Sequence, residues 1–308
     1  MAGRPSINLA RSPSIFGDML KRHSAAAATF DHSERAGAER VGYASRSMHP
    51  YERPVRAWLA SPVHTIADSA SADAAAASLR ALEISSLLVV DSDGGGVGVV
   101  SRTDLLHGSG DSVRERMSVG VVTVGADDSV ARAAELMVTQ RVHRVYVLDE
   151  GRPLGVFSTR EVLLAVREAK DATPLADLMS SPVRTVSFDE TAQEATALLG
   201  DGAIGALVVV ENDHPIGLFT QREALAARWA APATQVESLM SPSLLCLQTT
   251  VPAHRAAAFT VSTRARRIVA IHAHEMRGVV SGMDFARLAA NGLTPEPFSS
   301  RSVGSQRA

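Results

Sequence analysis

The sequence is constrained above all by its own repetition. Four stretches close on one pattern: Gly98-Val-Val-Ser-Arg-Thr-Asp104, Gly155-Val-Phe-Ser-Thr-Arg-Glu161, Gly217-Leu-Phe-Thr-Gln-Arg-Glu223 and Gly278-Val-Val-Ser-Gly-Met-Asp284. Their glycines lie about 60 residues apart. The stretches also open alike. Met117-Ser-Val-Gly-Val-Val-Thr-Val124 is echoed by Met179-Ser-Ser-Pro-Val-Arg-Thr-Val186 and Met240-Ser-Pro-Ser-Leu-Leu-Cys-Leu247, while Ala60-Ser-Pro-Val-His-Thr-Ile66 lacks the Met. Opening and closing recur in phase, so one unit is used four times.

Each copy has the same anatomy. A short strand, 121–124 in the second copy, leads into a polar turn. Ser129 is placed to cap a helix, with Val130, Ala133, Ala134 and Met137 along one face. Thr191 takes the capping place in the third copy, and Pro252, tolerated in a first turn, in the fourth. A buried strand follows at 87–90, 145–148, 207–210 and 268–271. A second strand then runs from the repeated Gly into a last helix. The fold class is therefore α/β (α+β), four β-α-β-β-α repeats.

A unit this small buries little surface alone, so neighbours should pair. Short links suggest a first pair over 55–171 (repeats 56–112 and 115–170) and a second over 172–291 (repeats 176–230 and 236–291). Residues 1–54, rich in Ser, Ala, Arg and Gly, read as a disordered tail, and 292–308 as a second. Within the first tail, 14–20 has enough apolar residues for a turn or two, as a docking peptide or as chance in a solvated segment.

Composition narrows the class. The 308 residues are 45% hydrophobic and 21% charged, with 31 basic against 33 acidic side chains. That is a globular composition with no net basic field, so neither nucleic acid nor a membrane surface is an expected partner. No signal-like apolar region follows the first Arg, and the aliphatic runs are too short to span a bilayer. A single Cys246 fits a reducing, cytoplasmic setting and reads as a small buried hydrophobe.

The repeat, with its Met-x-x-Pro-Val-x-Thr-Val opening at Met179 and its Gly-h-h-[Ser/Thr]-x-x-[Asp/Glu] close, h being apolar, resembles the CBS (cystathionine β-synthase type) domain over roughly 56–291. The resemblance implies tandem pairs, called Bateman modules, here two of them. These would associate as an intramolecular disc or as a homodimer. It also implies clefts between paired repeats that take an adenine nucleotide (AMP, ADP or ATP) or S-adenosylmethionine as a regulatory ligand, with no cofactor required. By position the ligand-binding residues would be Ser101, Asp104, Ser158, Arg160, Glu161, Thr220, Arg222, Glu223, Ser281 and Asp284, with Thr65, Thr123 and Thr185 near the base. The implied role is regulatory rather than enzymatic, with occupancy relayed to a partner protein.

The chemistry of these residues suits that role. One carboxylate can accept from both hydroxyls of a ribose diol. A Ser or Thr where a strand enters a helix lies beside outward-pointing N–H groups that favour phosphate, and Arg supplies a cationic fork. Yet Ser/Thr followed three residues later by Asp/Glu is also a capping box, which needs no ligand. A scaffold that assembles without ligand therefore stands beside the sensor, and an enzyme with an unrecognised centre behind both. Arg141, His143 and Arg144, like Arg264, Arg266 and Arg267, either meet a polyphosphate across the cleft or form a solvated edge. His272 and His274 share a strand face but lack further metal ligands. Gly94-Gly-Gly96 lies between strands, not before a helix, and so is not a dinucleotide loop.

Overall fold

The computed structural model describes residues 48–59, 63–149, 152–200 and 204–291. The expectations for 1–47, the 14–20 segment included, and for 292–308 lie outside the described residues. The first unit runs β1 (Thr65–Ala67), α1 (Ala72–Ala81), β2 (Ser86–Val90), β3 (Gly96–Ser101), α2 (Arg102–His107). A short helix α3 (Val113–Arg116) and β4 (Ser118–Val119) lead to the second: β5 (Thr123–Gly125), α4 (Val130–Thr139), β6 (Arg144–Asp149), β7 (Arg152–Ser158), α5 (Thr159–Ala169). After α6 (Leu175–Leu178) comes the third: β8 (Thr185–Ser187), α7 (Ala192–Leu199), β9 (Ala206–Glu211), β10 (His214–Thr220), α8 (Gln221–Ala227). A 3-10 turn (Val236–Ser238) precedes the fourth: β11 (Leu245–Gln248), α9 (Ala253–Thr263), β12 (Arg267–His272), β13 (Glu275–Ser281), α10 (Gly282–Asn291).

The order β-α-β-β-α thus occurs four times, as the spacing of the motifs requires. In every unit the opening strand lies parallel to the middle strand, which pairs antiparallel with the closing one. Capping places the helices. The Ser129 hydroxyl accepts from the Arg132 N–H at 3.1 Å, and Thr191 forms a full capping box with Glu194. Behind Ser129 the apolar face Val130, Ala133, Ala134 and Met137 is wholly buried.

Pairing is made by exchange. Val113 of α3, which precedes the second unit, is buried in the core of the first, and its N–H bonds to Ala70 O at 2.8 Å. The segment before the first unit returns the contact: Val55 N–H reaches Asp128 O of the second at 2.8 Å. The second half repeats the trade. Leu175 of α6 lies in the core that holds the fourth unit, and Val236 in the core of the third. Residues 48–54, read from the sequence as the end of the tail, belong to this exchange. Tyr51 is buried, and its hydroxyl donates to Asp171 at 3.0 Å. One apolar ring with a satisfied hydroxyl fixes a segment whose composition is otherwise that of a tail.

The exchange explains the two ends of the motif together. A Cβ on Gly98 would stand 2.9 Å from the Met117 sulfur and 2.5 Å from Ser118 O; one on Gly217 would stand 2.6 Å from the Met240 sulfur; one on Gly278 would stand 2.7 Å from Met179 Cγ. The repeated Gly and the repeated Met are two sides of one contact between paired units.

Across the pairs the packing is unequal. The second and fourth units share one core through α4, α5, α9 and α10, with Phe157, Phe285, Met137 and Ile268 fully buried in it. Side chains of this kind contribute roughly 1.5–3 kcal/mol each. The first and third units keep separate cores joined at α2 and α8, where Leu225 enters the first core and Leu106 packs against the third.

Two sequence expectations are corrected. Cys246 is exposed, because β11 is an edge strand whose alternate residues Leu245 and Leu247 turn inward. His272 and His274 do not share a strand face, since Ala273 and His274, with φ of 50° and 67°, form the turn between β12 and β13. Among the described residues no cluster of metal-ligating side chains occurs, and no helix is long and apolar enough to cross a membrane.

Gly98→Ala forces a Cβ against backbone and should lower stability by about 1–3 kcal/mol in urea unfolding. Gly278→Ala meets the Met179 side chain, its Cβ at 2.8 Å included, and should lose less because Cγ and the sulfur can turn aside. Equal losses would contradict the packing described.

Candidate functional site

Each closing motif sits where a strand becomes a helix. Asp104 Oδ2 accepts from the Ser101 N–H at 2.7 Å and from its hydroxyl at 2.6 Å. Glu161 Oε2 does the same with Ser158 at 2.9 and 2.5 Å, Glu223 Oε2 with Thr220 at 2.9 and 2.5 Å, and Asp284 Oδ2 with Ser281 at 2.7 and 2.7 Å. One carboxylate oxygen of every motif therefore caps its own helix, as do the hydroxyls of Ser101, Ser158 and Thr220. The second oxygens differ. Asp104 Oδ1 accepts from the Ser118 hydroxyl at 3.2 Å, and Asp284 Oδ1 pairs with Arg287 at 2.5 Å. Glu161, Glu223 and Asp284 are buried, while Asp104 keeps partial access.

Burial raises the Glu161 pKa against the lowering effect of its bonds to Ser158. Of the two motif arginines, Arg160 is exposed on α5. Arg222 reaches across to the first unit and pairs with Glu83 at 3.3 Å. Thr65, Thr123 and Thr185 are exposed at the starts of β1, β5 and β8.

The structure draws together cations that the sequence scatters. Burial first, and then the charges of Arg266, Arg222 and Arg144, depress the pKa of Arg102, and burial and then Arg222 depress that of Arg266. Arg144 and Arg267 are depressed first by burial, and His143 by its protein surroundings and then by Arg267 and Arg144. All four units contribute to this group. Its guanidinium contacts are mostly to neutral oxygens: Arg144 to Ser85 Oγ at 2.6 Å and Ser86 O at 3.3 Å, Arg266 to Glu83 O at 3.3 Å, Arg267 to Gly205 O at 3.2 Å. Arg144 Nε is buried with no hydrogen-bond partner. Charged donors facing neutral acceptors favour an added anion. Arg144 and Arg267 are half-buried against other units, whereas Arg141, His143, Arg264 and Arg266 are exposed as a solvated edge would be, Arg266 still reaching Glu83 O of the first unit.

Sequence reasoning missed Arg102. It is the first residue of α2 and looks like a solvated cation, yet it is 6% exposed and held by burial at a pKa of about 10. It faces the third and fourth units, which no local pattern encodes.

A pH dependence follows from Glu161. With a folded pKa above the ordinary Glu value, its stability contribution is complete below that ordinary value and is lost as pH rises through the raised one. Glu161→Gln should remove this slope, so that the variant gains on wild type between pH 4 and pH 7 in urea unfolding. A constant difference across that range would refute it.

A fold likeness covers most of the chain. Protein MJ1225 from Methanocaldococcus jannaschii, described as a candidate archaeal homologue of g-AMPK, matches 76% of this chain and 99% of its own with a TM-score of 0.68 at 14% identity. An uncharacterized 33.4 kDa protein in a ribosomal RNA operon of Thermofilum pendens is 29% identical over 160 residues, 46% of this chain and 53% of that protein. A homoserine O-acetyltransferase of Methanosphaerula palustris is 34% identical over 110 residues, 35% of this chain and 22% of that enzyme. The chain thus spans about half or less of the length of these two curated relatives. The model of the CBS domain family matches residues 55–111, 113–168 and 175–230. With more than half its length so matched, and the β-α-β-β-α order present in its structure, the chain belongs to the CBS domain family.

Proposed function

We propose that this chain is a regulatory CBS protein of four repeats, 236–291 being the fourth, arranged as two Bateman modules, 55–171 and 172–291. Its clefts take an adenine nucleotide or related adenosyl ligand, and occupancy is relayed to a partner protein in the cytoplasm. The exchange of opening segments within 1–2 and within 3–4 supports the two modules. The convergence of Arg102, Arg144, Arg266 and Arg267 on neutral partners, with Arg222 beside them, carries the ligand reading, since phosphate oxygens supply the acceptors this group lacks. In this reading Asp104, Glu161, Glu223 and Asp284 turn an oxygen toward ribose hydroxyls while keeping the other on their caps. Ser101, Ser158, Thr220 and Ser281 flank the phosphate with Arg160 and Arg222. A ligand that touches two repeats favours one relative arrangement by its differential affinity.

One observation favours the ligand-free scaffold. All four carboxylates already have a complete structural task as caps. Calorimetry of the full chain with AMP, ADP, ATP and S-adenosylmethionine separates the two. Saturable heat with at least one of them, weakened about tenfold or more by Arg144→Gln or Arg267→Gln with the fold retained, is the sensor's result. No heat and no thermal shift with any of the four is the scaffold's.

A further inference from the structure

The first and third units meet at two joints. One is packed: Leu225 of α8 enters the first core, and Arg228, just past α8, donates to Leu105 O of α2 at 2.7 Å. The other joins α8 to the last turn of α1, beside a cleft of about 430 Å³. Arg102, Arg222 and Glu223 line that cleft, so it belongs to the nucleotide site proposed above.

The second joint is made by two side chains of α1's end. Arg80 holds its guanidinium 5.6 Å from the Trp229 ring centroid, and Glu83 pairs with Arg222 at 3.3 Å. Glu83 closes the helix in the left-handed region, with φ of 54° and its N–H on Arg80 O at 3.2 Å. Arg141 and Arg264 hold the same place after α4 and α9, each with φ of 55° and each, like Glu83, three residues before its middle strand. The first unit therefore puts an acid where the second and fourth put a base, and that acid faces arginines. Besides the pair with Arg222, the Glu83 carbonyl accepts from Arg266 at 3.3 Å, and the Glu83 charge raises the Arg266 pKa that burial and Arg222 lower. The Glu83–Arg222 pair is weak by position, its side chains being 65% and 45% exposed. An ion pair so placed shifts an equilibrium by about fivefold at most. A phosphate, with more charge and several acceptor oxygens, competes successfully for the same guanidinium.

We propose that Glu83 is an internal competitor for the phosphate of the nucleotide: it holds Arg222 and so clasps α1 to α8, and a bound phosphate takes Arg222 and opens the clasp. The proposal rests on the nucleotide reading and adds its regulation. The packed joint at Leu225 and Arg228 stays closed, so the change is a loosening of α1 rather than a parting of the two units.

Calorimetry of the full chain with AMP, ADP, ATP and adenosine compares wild type with Glu83→Gln, which keeps the length of the side chain and drops its charge. Any nucleotide that gives heat should bind the variant about two- to fivefold more tightly, while adenosine, lacking phosphate, gains nothing. In an Arg222→Gln background the same substitution should gain nothing either. Hydrogen exchange supplies a readout that mere covering by a ligand moves the other way. The amides of Leu82 and Glu83, bonded within the last turn of α1, should exchange about two- to fivefold faster in Glu83→Gln, and in wild type saturated with nucleotide. Unchanged nucleotide affinity in Glu83→Gln, an equal gain in the Arg222→Gln background, or slower or unchanged exchange on saturation overturns the clasp and leaves the nucleotide reading standing. No heat from any nucleotide in either protein sinks both, and heat in Glu83→Gln alone supports both.

Discussion

No unit of this chain completes its own core. Each lacks one short apolar segment, and the segment that fills the gap is the one leading into its neighbour: Val113 for the first, Val55 for the second, Val236 for the third, Leu175 for the fourth. Modules of some sixty residues bury too little surface to be secure alone, and the trade supplies what is missing without lengthening any of them. The Met-on-Gly contacts seat these segments. They leave no room for a side chain at Gly98, Gly217 or Gly278, which explains why glycine is fixed in those three copies of the motif.

Electrostatics inverts this economy. The same convergence that closes the cores brings arginines from four units into one neighbourhood. There they bond to main-chain and hydroxyl oxygens more than to carboxylates. Of the nearby acids Glu161, Glu223 and Asp284 are committed to helix starts, and Glu83 pairs with Arg222. The result is a fold with satisfied apolar surfaces and under-neutralised charge, the combination expected where a protein is built to receive an anion rather than to be rigid without one.

Much of this was written in the sequence. The fourfold phase, the caps at Ser129 and Thr191 and the buried middle strands depend on residues close in sequence, and local pattern reports them faithfully. Three things depended on distant residues. Which core Val113 enters is not encoded near Val113, because its short apolar pattern suits either neighbour. Tyr51 looks like part of a tail until its pocket exists. Cys246 has the composition of a buried strand but the position of an edge. The site divides in the same way: the carboxylates and their hydroxyls were found by motif, whereas Arg102, Arg80 and Trp229 gain meaning only when the first unit meets the third.

The crossed lead segments also restrict how such an architecture can be edited. Deleting one unit strips its neighbour of the helix that plugs it, so excision of a single copy leaves two defects rather than one. A break after α5 removes no such plug, since the trade is confined to 1–2 and to 3–4. Rearrangement of this chain in steps of two leaves every plug in place, and what it must then cover is the core that the second and fourth units share.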